Sequence, residues 1–256
     1  MEEYRHSKTR STSLTDERGD DFAVPTWSAD SDTRKQRLVP DLIDLVLHPQ
    51  HNDITAARML AARAGVTAED MADHYIPAVA RDLGEQWCTD QLGFAEVTIG
   101  TARLQAMLRD FGESWSADQG MNPNASTILL AVLDDVHHTL GAFVLSGQLR
   151  RKGLSVRLLL GATAKNINES CEMAQYDAIF ISSSTGNSLE TLRKTIDSVR
   201  KAQTTVPPVV IGGSLVETTA DMIALTGTDY IANTADEAIA LCNLRTKPRA
   251  NATLDQ

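Results

Sequence analysis

The sequence has few basic residues, and it lacks the long apolar runs that mark membrane and secreted proteins. Its 24 Lys and Arg residues face 34 Asp and Glu, so the formal net charge is −10 and no basic excess is left for nucleic-acid phosphates. No apolar run approaches the roughly 20 residues needed to cross a bilayer. The first residues also lack the apolar segment of a secretory signal. We therefore expect a cytoplasmic protein that binds neither DNA nor a membrane directly.

Cysteine and the common enzyme signatures are also scarce. Three widely spaced cysteines, Cys88, Cys171 and Cys242, favour buried reduced thiols over a disulfide framework or a zinc site. The chain has no P-loop, no hydrolase nucleophile elbow and no metalloprotease helix, and its glycines form no dinucleotide fingerprint. These absences predict that the protein is not an enzyme.

Composition and pattern divide the chain into a helical half and a half of alternating strands and helices. Residues 1–33 are polar and predict a disordered tail, because they cannot bury enough apolar surface to offset the entropy of ordering. Residues 34–111 carry four apolar stripes at helical spacing and predict an antiparallel four-helix bundle. Residues 112–126 predict a linker, 127–246 an α/β domain and 247–256 a second tail.

Two local signals mark the third helix of the predicted bundle. Thr67 is followed three residues later by Asp70, which is the form of a capping box at a helix start. Pro77 falls inside the same helix and predicts a kink or a break, because proline removes a backbone hydrogen bond.

The second half alternates short Val/Ile/Leu-rich runs with amphipathic segments. Strands are predicted at 127–133, 155–160, 178–182, 208–212 and 229–231. Helices are predicted at 141–152, 164–174, 187–202, 215–225 and 235–244. Nearly continuous apolar strands are typical of a parallel sheet that is covered on both faces. The fold class is therefore all-α plus α/β, the latter a flavodoxin-like, five-stranded, doubly wound parallel sheet.

The first strand is followed directly by a pair of histidines, His137 and His138. Gly141 stands three residues after the second histidine, where the next helix begins. Neutral imidazole is the commonest nitrogen ligand of transition metals, and consecutive loop residues point apart, so at most one of the two would face a metal. A histidine loop by itself is more often a helix cap or a hydrogen-bonding turn.

Polar and glycine motifs follow the third and fourth strands. Ser182, Ser184 and Thr185 end the third strand, and Gly212 and Gly213 end the fourth. Each motif alone is typical of a helix N-cap or a turn. Together with the histidines they fall in order at the carboxyl edge of the predicted sheet, which is where open α/β sheets bind ligands.

Residues 127–245 resemble the cobalamin-binding domain of methionine synthases, corrinoid methyltransferases and cobalamin-dependent regulators. That family shows Asp-x-His-x-x-Gly, then Ser-x-Leu, then Gly-Gly. His138 and Gly141 match the first motif, Ser182 the second, and Gly212 and Gly213 the third. The resemblance implies that His138 is the lower axial ligand of cobalt, and that the serine and glycine motifs line the nucleotide tail of cobalamin.

The sequence departs from that pattern at two positions. Val136 stands where the family has its acid, and Asp135 lies one residue earlier. His137 would be correctly spaced from Asp135 but not from Gly141, so His138 is favoured and His137 remains the alternative. Ser184 replaces the usual leucine. Thr139 and Thr185 stand within the motifs and complete the predicted contacts of this domain.

Residues 34–111 resemble the helical cap of CarH-type cobalamin photoreceptor regulators. There a tryptophan and, ten residues later, a Glu-His pair cover the upper face of cobalamin. Trp87 is present here, but Val97 and Thr98 occupy the Glu-His positions and Glu96 precedes them by one residue. The resemblance implies a pocket without an upper histidine, which favours hydroxo- or aquocobalamin over the adenosyl and methyl forms. Haem on the same lower histidine is the alternative cofactor.

A cap and cobalamin domain with no preceding DNA-binding domain resemble the AerR/PpaA antirepressors of photosynthesis genes. The resemblance covers residues 34–245 and implies a light-responsive regulator that acts through a CrtJ/PpsR-type repressor. Three other hypotheses remain open. They are a corrinoid carrier of a methyltransferase system, a haem-binding redox sensor, and an interaction module with no cofactor.

Overall fold

The computed structural model describes residues 32–48, 54–117, 125–133, 139–184, 187–203, 205–218 and 221–246. The first half of this described part is helical. Its elements are α1 (Asp32–Leu47), α2 (Ile54–Ala64), α3 (Ala68–Asp70), a π-helical turn (Met71–Tyr75), α4 (Ile76–Cys88) and α5 (Phe94–Ala117). Their apolar faces share one core, in which Leu42, Met71 and Leu104 are fully buried. We call this part the helical domain. No helix among the described residues is long and apolar enough to span a membrane.

The predicted capping box is present, and the helix after it runs through Pro77 without a break. The hydroxyl of Thr67 accepts a hydrogen bond from the Asp70 N–H at 3.0 Å, and the Asp70 carboxylate accepts one from the Thr67 N–H at 3.4 Å. A π-helical turn then comes directly before α4. Proline offers no N–H and its ring crowds the carbonyl four residues earlier, so a local i→i+5 turn accommodates Pro77 while the chain stays helical.

The helix α5 continues to Ala117, six residues past the predicted end of the bundle. Its last turns therefore occupy the first part of the segment 112–126 that the sequence predicted to be a linker. Gly112 is the only strong helix-weakening residue there, and it costs roughly 1 kcal/mol relative to alanine. No proline follows it within the helix, so nothing in this stretch forces the helix to stop.

The second half forms a five-stranded parallel sheet in the order β2-β1-β3-β4-β5. The strands are β1 (Thr127–Leu133), β2 (Ser155–Ala162), β3 (Ala178–Ser182), β4 (Val209–Gly212) and β5 (Tyr230–Ile231). The helices are α6 (Leu140–Arg151), α7 (Ala164–Met173), α8 (Leu189–Ala202), α9 (Ser214–Thr218), α10 (Met222–Thr226) and α11 (Ala235–Leu241). The flavodoxin-like, doubly wound topology predicted from the sequence is confirmed.

Alternate residues of each strand enter two cores, one on each face of the sheet. Ile128 and Leu130 of β1 pack with α6 and α11, whereas Leu129 and Ala131 pack with α7 to α10. The single helix predicted at 215–225 is wrong, because the chain forms the two short helices α9 and α10 there. Asp221, just before α10, has a φ of 58°, and a residue in this left-handed conformation does not continue an α-helix.

Helix α6 packs against both halves of the molecule. Ala142 and Leu149 belong to the core beneath the sheet, while Leu140 belongs to the core of the helical domain. Phe143 and Val144 pack against that second core as well. The carboxyl end of β1 and the helix that follows it are thus fixed to the helical domain by direct contact.

A candidate cofactor site at the carboxyl edge of the sheet

The site lies where the order of the strands reverses, between the adjacent strands β1 and β3. Helix α6, which follows β1, covers one face of the sheet, and helix α8, which follows β3, covers the other. The connections after the two strands therefore diverge and leave a crevice at the carboxyl edge, which is the ligand position in open α/β sheets. The neighbouring strand β4 brings the Gly-Gly motif to the same edge.

Four predicted site residues lie outside the described part of the chain. They are Asp135, His137, His138 and Thr185. The first three belong to residues 134–138, which we call the histidine loop. It begins where β1 ends at Leu133, and the described chain resumes at Thr139. The described residues on either side of the loop, Leu133 and Thr139, therefore lie at the crevice.

Ser182 and Gly212 face the same side of the sheet. They are partners in the register of β3 and β4, two residues beyond Phe180 and Val210, which both lie in the core under α6 and α11. Because side chains alternate along a strand, Ser182 and Gly212 share that face. The serine hydroxyl and the bare backbone of the glycine thus lie side by side under α6.

The two serines that follow β3 use their hydroxyls differently. Ser183 donates to the Gly212 carbonyl through both its backbone N–H at 2.8 Å and its side-chain hydroxyl at 2.9 Å. The backbone N–H of Ser184 donates to the Asn187 side chain at 2.8 Å, but its own hydroxyl oxygen is buried and has no hydrogen-bond partner among the described residues. Since Ser184 is only 8% exposed, water does not readily satisfy this hydroxyl. A polar ligand at the crevice would supply the missing partner.

The Gly-Gly motif allows backbone segments of the protein to approach one another closely. A Cβ atom on Gly213 would lie 2.1 Å from the Ser183 carbonyl oxygen, and one on Gly212 would lie 2.8 Å from the Ala232 carbonyl oxygen. Gly213 also has a φ of 103°, which favours glycine. The strand ends can therefore approach each other only without side chains at these positions. Gly141 differs, because a Cβ atom there would meet nothing within 4 Å.

Trp87 is not a core residue of the helical domain. It is 47% exposed near the end of α4. Leu83, one turn earlier, approaches Gly100 of α5 so closely that a Cβ on that glycine would lie 2.9 Å away. Because the two helices are joined by a short loop and run antiparallel, Trp87 comes level with the first turns of α5.

The other predicted cap residues occupy those first turns. The Glu96 carboxylate accepts a hydrogen bond from the Gly93 N–H at 2.7 Å and so caps the start of α5. Thr98 is exposed and donates its hydroxyl to the Phe94 carbonyl at 2.7 Å, and Val97 is half-buried. Thr98 precedes Gln105 by two helical turns and shares its face of α5. Gln105 reaches the site, because its side-chain amide donates to the Thr139 hydroxyl at 3.0 Å.

The three cysteines are free thiols that differ in their exposure. Cys88 is exposed, so the prediction of a buried thiol is wrong for this residue. Burial raises the pKa of Cys171, and burial together with the charge of Asp229 raises the pKa of Cys242 to about 11. Both thiols are therefore protonated at neutral pH and are poor metal ligands. No group of three or more His, Cys, Asp and Glu side chains within the described ranges could hold a bare metal ion.

A corrinoid fits the residues that are present at the crevice. The hydroxyl of Ser184, which has no hydrogen-bond partner in the described part of the chain, is suited to a polar appendage of the cofactor. A Cβ atom on Gly141 would meet none of the described residues within 4 Å, so this helix start leaves room for a ligand. Cobalamin brings its own metal and four equatorial nitrogens, so it requires one protein ligand rather than a cluster. The class defined by fold and site is a cobalamin-binding domain.

Comparison with known proteins supports this class. The family model of the B12 binding domain matches residues 126–242. An uncharacterized 20.5 kDa protein in the bchF-crtJ intergenic region of Rhodobacter capsulatus is 36% identical over 173 residues, which cover 66% of this chain and 88% of that protein. The chain belongs to the B12-binding domain family, as its motifs predicted. The location of this relative in the bchF-crtJ intergenic region is consistent with a protein of the AerR/PpaA type.

A solved structure shares the fold. The match to the monomethylamine corrinoid protein of Methanosarcina barkeri covers 81% of this chain and 98% of that protein's chain. The TM-score is 0.63 and the sequence identity is 16%. At this identity the likeness concerns the fold alone. It covers both the helical domain and the sheet, since the α/β half by itself is less than half of the chain.

The two neighbouring serines give a matched test of the site. Ser184→Ala removes a buried hydroxyl without a described partner, so we expect the unfolding free energy of the cofactor-free protein to stay within about 0.5 kcal/mol of the wild type or to rise. Cobalamin affinity should fall about tenfold, the value of one hydrogen bond. Ser183→Ala, which loses the bond to Gly212, should cost about 1 kcal/mol of stability. Urea unfolding and hydroxocobalamin titration measure both quantities. A stability loss at Ser184 with unchanged affinity would assign that hydroxyl an internal role.

Proposed function

We propose that the protein is a light-responsive, cobalamin-binding transcriptional regulator. In this proposal it acts as an antirepressor on a CrtJ/PpsR-type repressor of photosynthesis genes. The observation that carries the proposal is the relative in the bchF-crtJ intergenic region, which aligns over 88% of its length with a chain that has a B12-binding domain. A position beside crtJ supports a regulatory link between that relative and the crtJ product.

The cofactor contacts in this proposal come from the three strand ends. His138 would hold the cobalt through its imidazole, and Asp135 would orient that imidazole through a hydrogen bond. Ser182, Ser184 and Thr185 bind the polar tail of the cofactor, and the unpartnered hydroxyl of Ser184 supports this role. Cobalamin supplies a cobalt–carbon bond that visible light breaks when an alkyl group is bound.

The helical domain shapes the upper face of the site. Exposure of Trp87 leaves its indole free to lie against a ligand, and Thr98 lies on the face of α5 that leads to Thr139. Neither Val97 nor Thr98 offers an imidazole above the cofactor. We infer that the site prefers hydroxo- or aquocobalamin, the products of photolysis, over the bulkier adenosyl form.

The output of the proposed regulator is binding rather than a chemical reaction. A partner that recognises only the loaded conformation is recruited in proportion to its differential affinity for that state. The net charge of −10 favours association with a basic DNA-binding protein in the cytoplasm and steers the encounter. The protein would thus alter repressor occupancy without touching DNA itself.

Anisotropy of a labelled promoter bound by a CrtJ/PpsR-type repressor tests this function. Addition of wild-type protein loaded with hydroxocobalamin should release the promoter, whereas cofactor-free protein and His138→Ala should release at least tenfold less at equal concentration. Methylcobalamin-loaded protein should become active only after illumination. No effect of the loaded protein would refute the antirepressor role, and methyl uptake by the reduced protein would favour a corrinoid carrier. Spectra with hemin test the haem alternative directly.

A further inference from the structure

The side chain of Gln105 joins the helical domain to Thr139, the residue that follows the histidine loop. Its amide donates to the hydroxyl of Thr139 at 3.0 Å, in a partly buried position. Thr139 is the residue that directly follows His138 in the chain. A polar contact from α5 therefore fixes the backbone next to the histidine that we assign to cobalt.

Thr139 does not use its hydroxyl in the way that its position favours. It is the N-cap residue of α6, where a threonine hydroxyl normally accepts a hydrogen bond from the second or third helical N–H. No such side-chain cap bond is present, and the hydroxyl accepts from Gln105 instead. The loop end is thus anchored to another domain at the expense of a local helix cap.

Contacts along the whole of α6 support the same connection. Leu140, Phe143 and Val144 pack against the core of the helical domain. At the far end of the helix Arg151 forms an ion pair with Asp73 of the π-helical turn, and both side chains are largely buried. Helix α6 is therefore attached to the helical domain at both ends, and the Gln105 bond reaches Thr139, the residue beside the histidine loop.

We propose that Gln105 is a positioning residue for the cobalt-binding imidazole. It acts through Thr139, whose backbone carbonyl in turn accepts the Phe143 N–H at 3.1 Å in the first turn of α6. In this proposal, ligation of the cofactor at the histidine loop is coupled to the position of α5. This inference rests on the proposed cobalamin function, but the anchoring of Thr139 can be measured without cofactor.

The test compares Gln105→Ala with two variants that separate the bond from the fold. Gln91→Ala is the matched control, because Gln91 also donates its amide to a threonine hydroxyl, that of Thr89 at 3.1 Å, but in an exposed loop. Gln105→Glu is the conservative variant, since its carboxylate can accept a hydrogen bond from the Thr139 hydroxyl and restore the link with reversed polarity.

In cofactor-free protein, Gln105→Ala should speed amide exchange at Phe143 about tenfold, while Gln105→Glu and Gln91→Ala stay near the wild-type rate. In loaded protein at saturating hydroxocobalamin, Gln105→Ala should lose part of the spectral shift of histidine ligation and release cofactor about tenfold faster. If Gln105→Ala does not fold, Thr139→Val carries the same test with Thr139→Ser as its control.

Unchanged exchange at Phe143, or an unchanged spectrum in folded and loaded Gln105→Ala, would overturn the positioning role. Failure of the wild type to bind cobalamin at all would instead refute the proposed function. In that case the exchange measurement would still decide whether Gln105 anchors the loop end.

Discussion

His138→Ala is expected to lose hydroxocobalamin on gel filtration, while the wild type retains it with a shifted absorption spectrum. Removal of a second-shell partner of a metal ligand typically costs 10–100-fold in affinity, so removal of the ligand itself should cost at least about 100-fold. The contacts that we propose for Ser182 and Ser184 with the cofactor's tail do not depend on His138, so weak binding without the spectral shift should persist. Equilibrium dialysis and absorption spectra in dark and light measure the two effects.

His137→Ala is the matched control, since it removes a neighbouring imidazole from the same histidine loop. It should retain cobalamin with the wild-type spectrum, because Gly141 is correctly spaced for His138 and not for His137. The reverse pattern would move the ligand to His137, with Asp135 as its orienting acid. Equal retention and equal spectra in both variants would mean that neither imidazole binds cobalt.

Gly213→Ala should reduce the unfolding free energy by about 3–5 kcal/mol or prevent folding. The added methyl group would lie 2.1 Å from the Ser183 carbonyl oxygen and 3.1 Å from the Ser183 nitrogen, and these are backbone atoms that cannot rotate away. The φ of 103° adds strain for any residue with a Cβ. Overpacking of a core site by itself costs 1–3 kcal/mol. Urea unfolding followed by circular dichroism measures the loss.

Gly227→Ala measures backbone strain alone, without the steric clash that Gly213→Ala introduces. Gly227 ends α10 with a φ of 76°, but a Cβ atom there would meet nothing within 4 Å. Its substitution should therefore cost only about 1–2 kcal/mol, the price of the left-handed conformation. If both alanine variants lost the same stability, the ends of β3 and β4 would have to separate easily, and the tight strand-end packing described above would be wrong.

The sequence predicted the centre of the sheet well because strands β1, β3 and β4 are almost fully buried. The bounds of β1 and β3 agree with the prediction to the residue, since each is a continuous apolar run between polar neighbours. The predicted bounds of the edge strands β2 and β5 were less accurate, and the division between α9 and α10 was not predicted. Edge strands carry a weaker apolar pattern, and the left-handed Asp221 has no local sequence signal that excludes a continuous helix.

The site was predicted as a set of residue types but not as a set of contacts. Ser183 and Ser184 are identical neighbours in the sequence. Only the packing of the strand ends decides that one hydroxyl binds Gly212 and that the other has no partner among the residues that the structure describes. The bond between Gln105 and Thr139 joins residues 34 apart in the chain and has no motif. Such contacts depend on how the helical domain meets the sheet, which apolar periodicity does not specify.

The dual packing of α6 also determines where this molecule can be divided. A fragment that starts at residue 125 would contain every strand yet expose Leu140, Phe143 and Val144 to solvent and leave Arg151 without Asp73. The boundary between the helical domain and the α/β part follows one side of α6, and it does not fall at the segment that links the two parts in sequence. Protein engineers who graft this cobalamin-binding unit onto other proteins should transplant the helices and the sheet together.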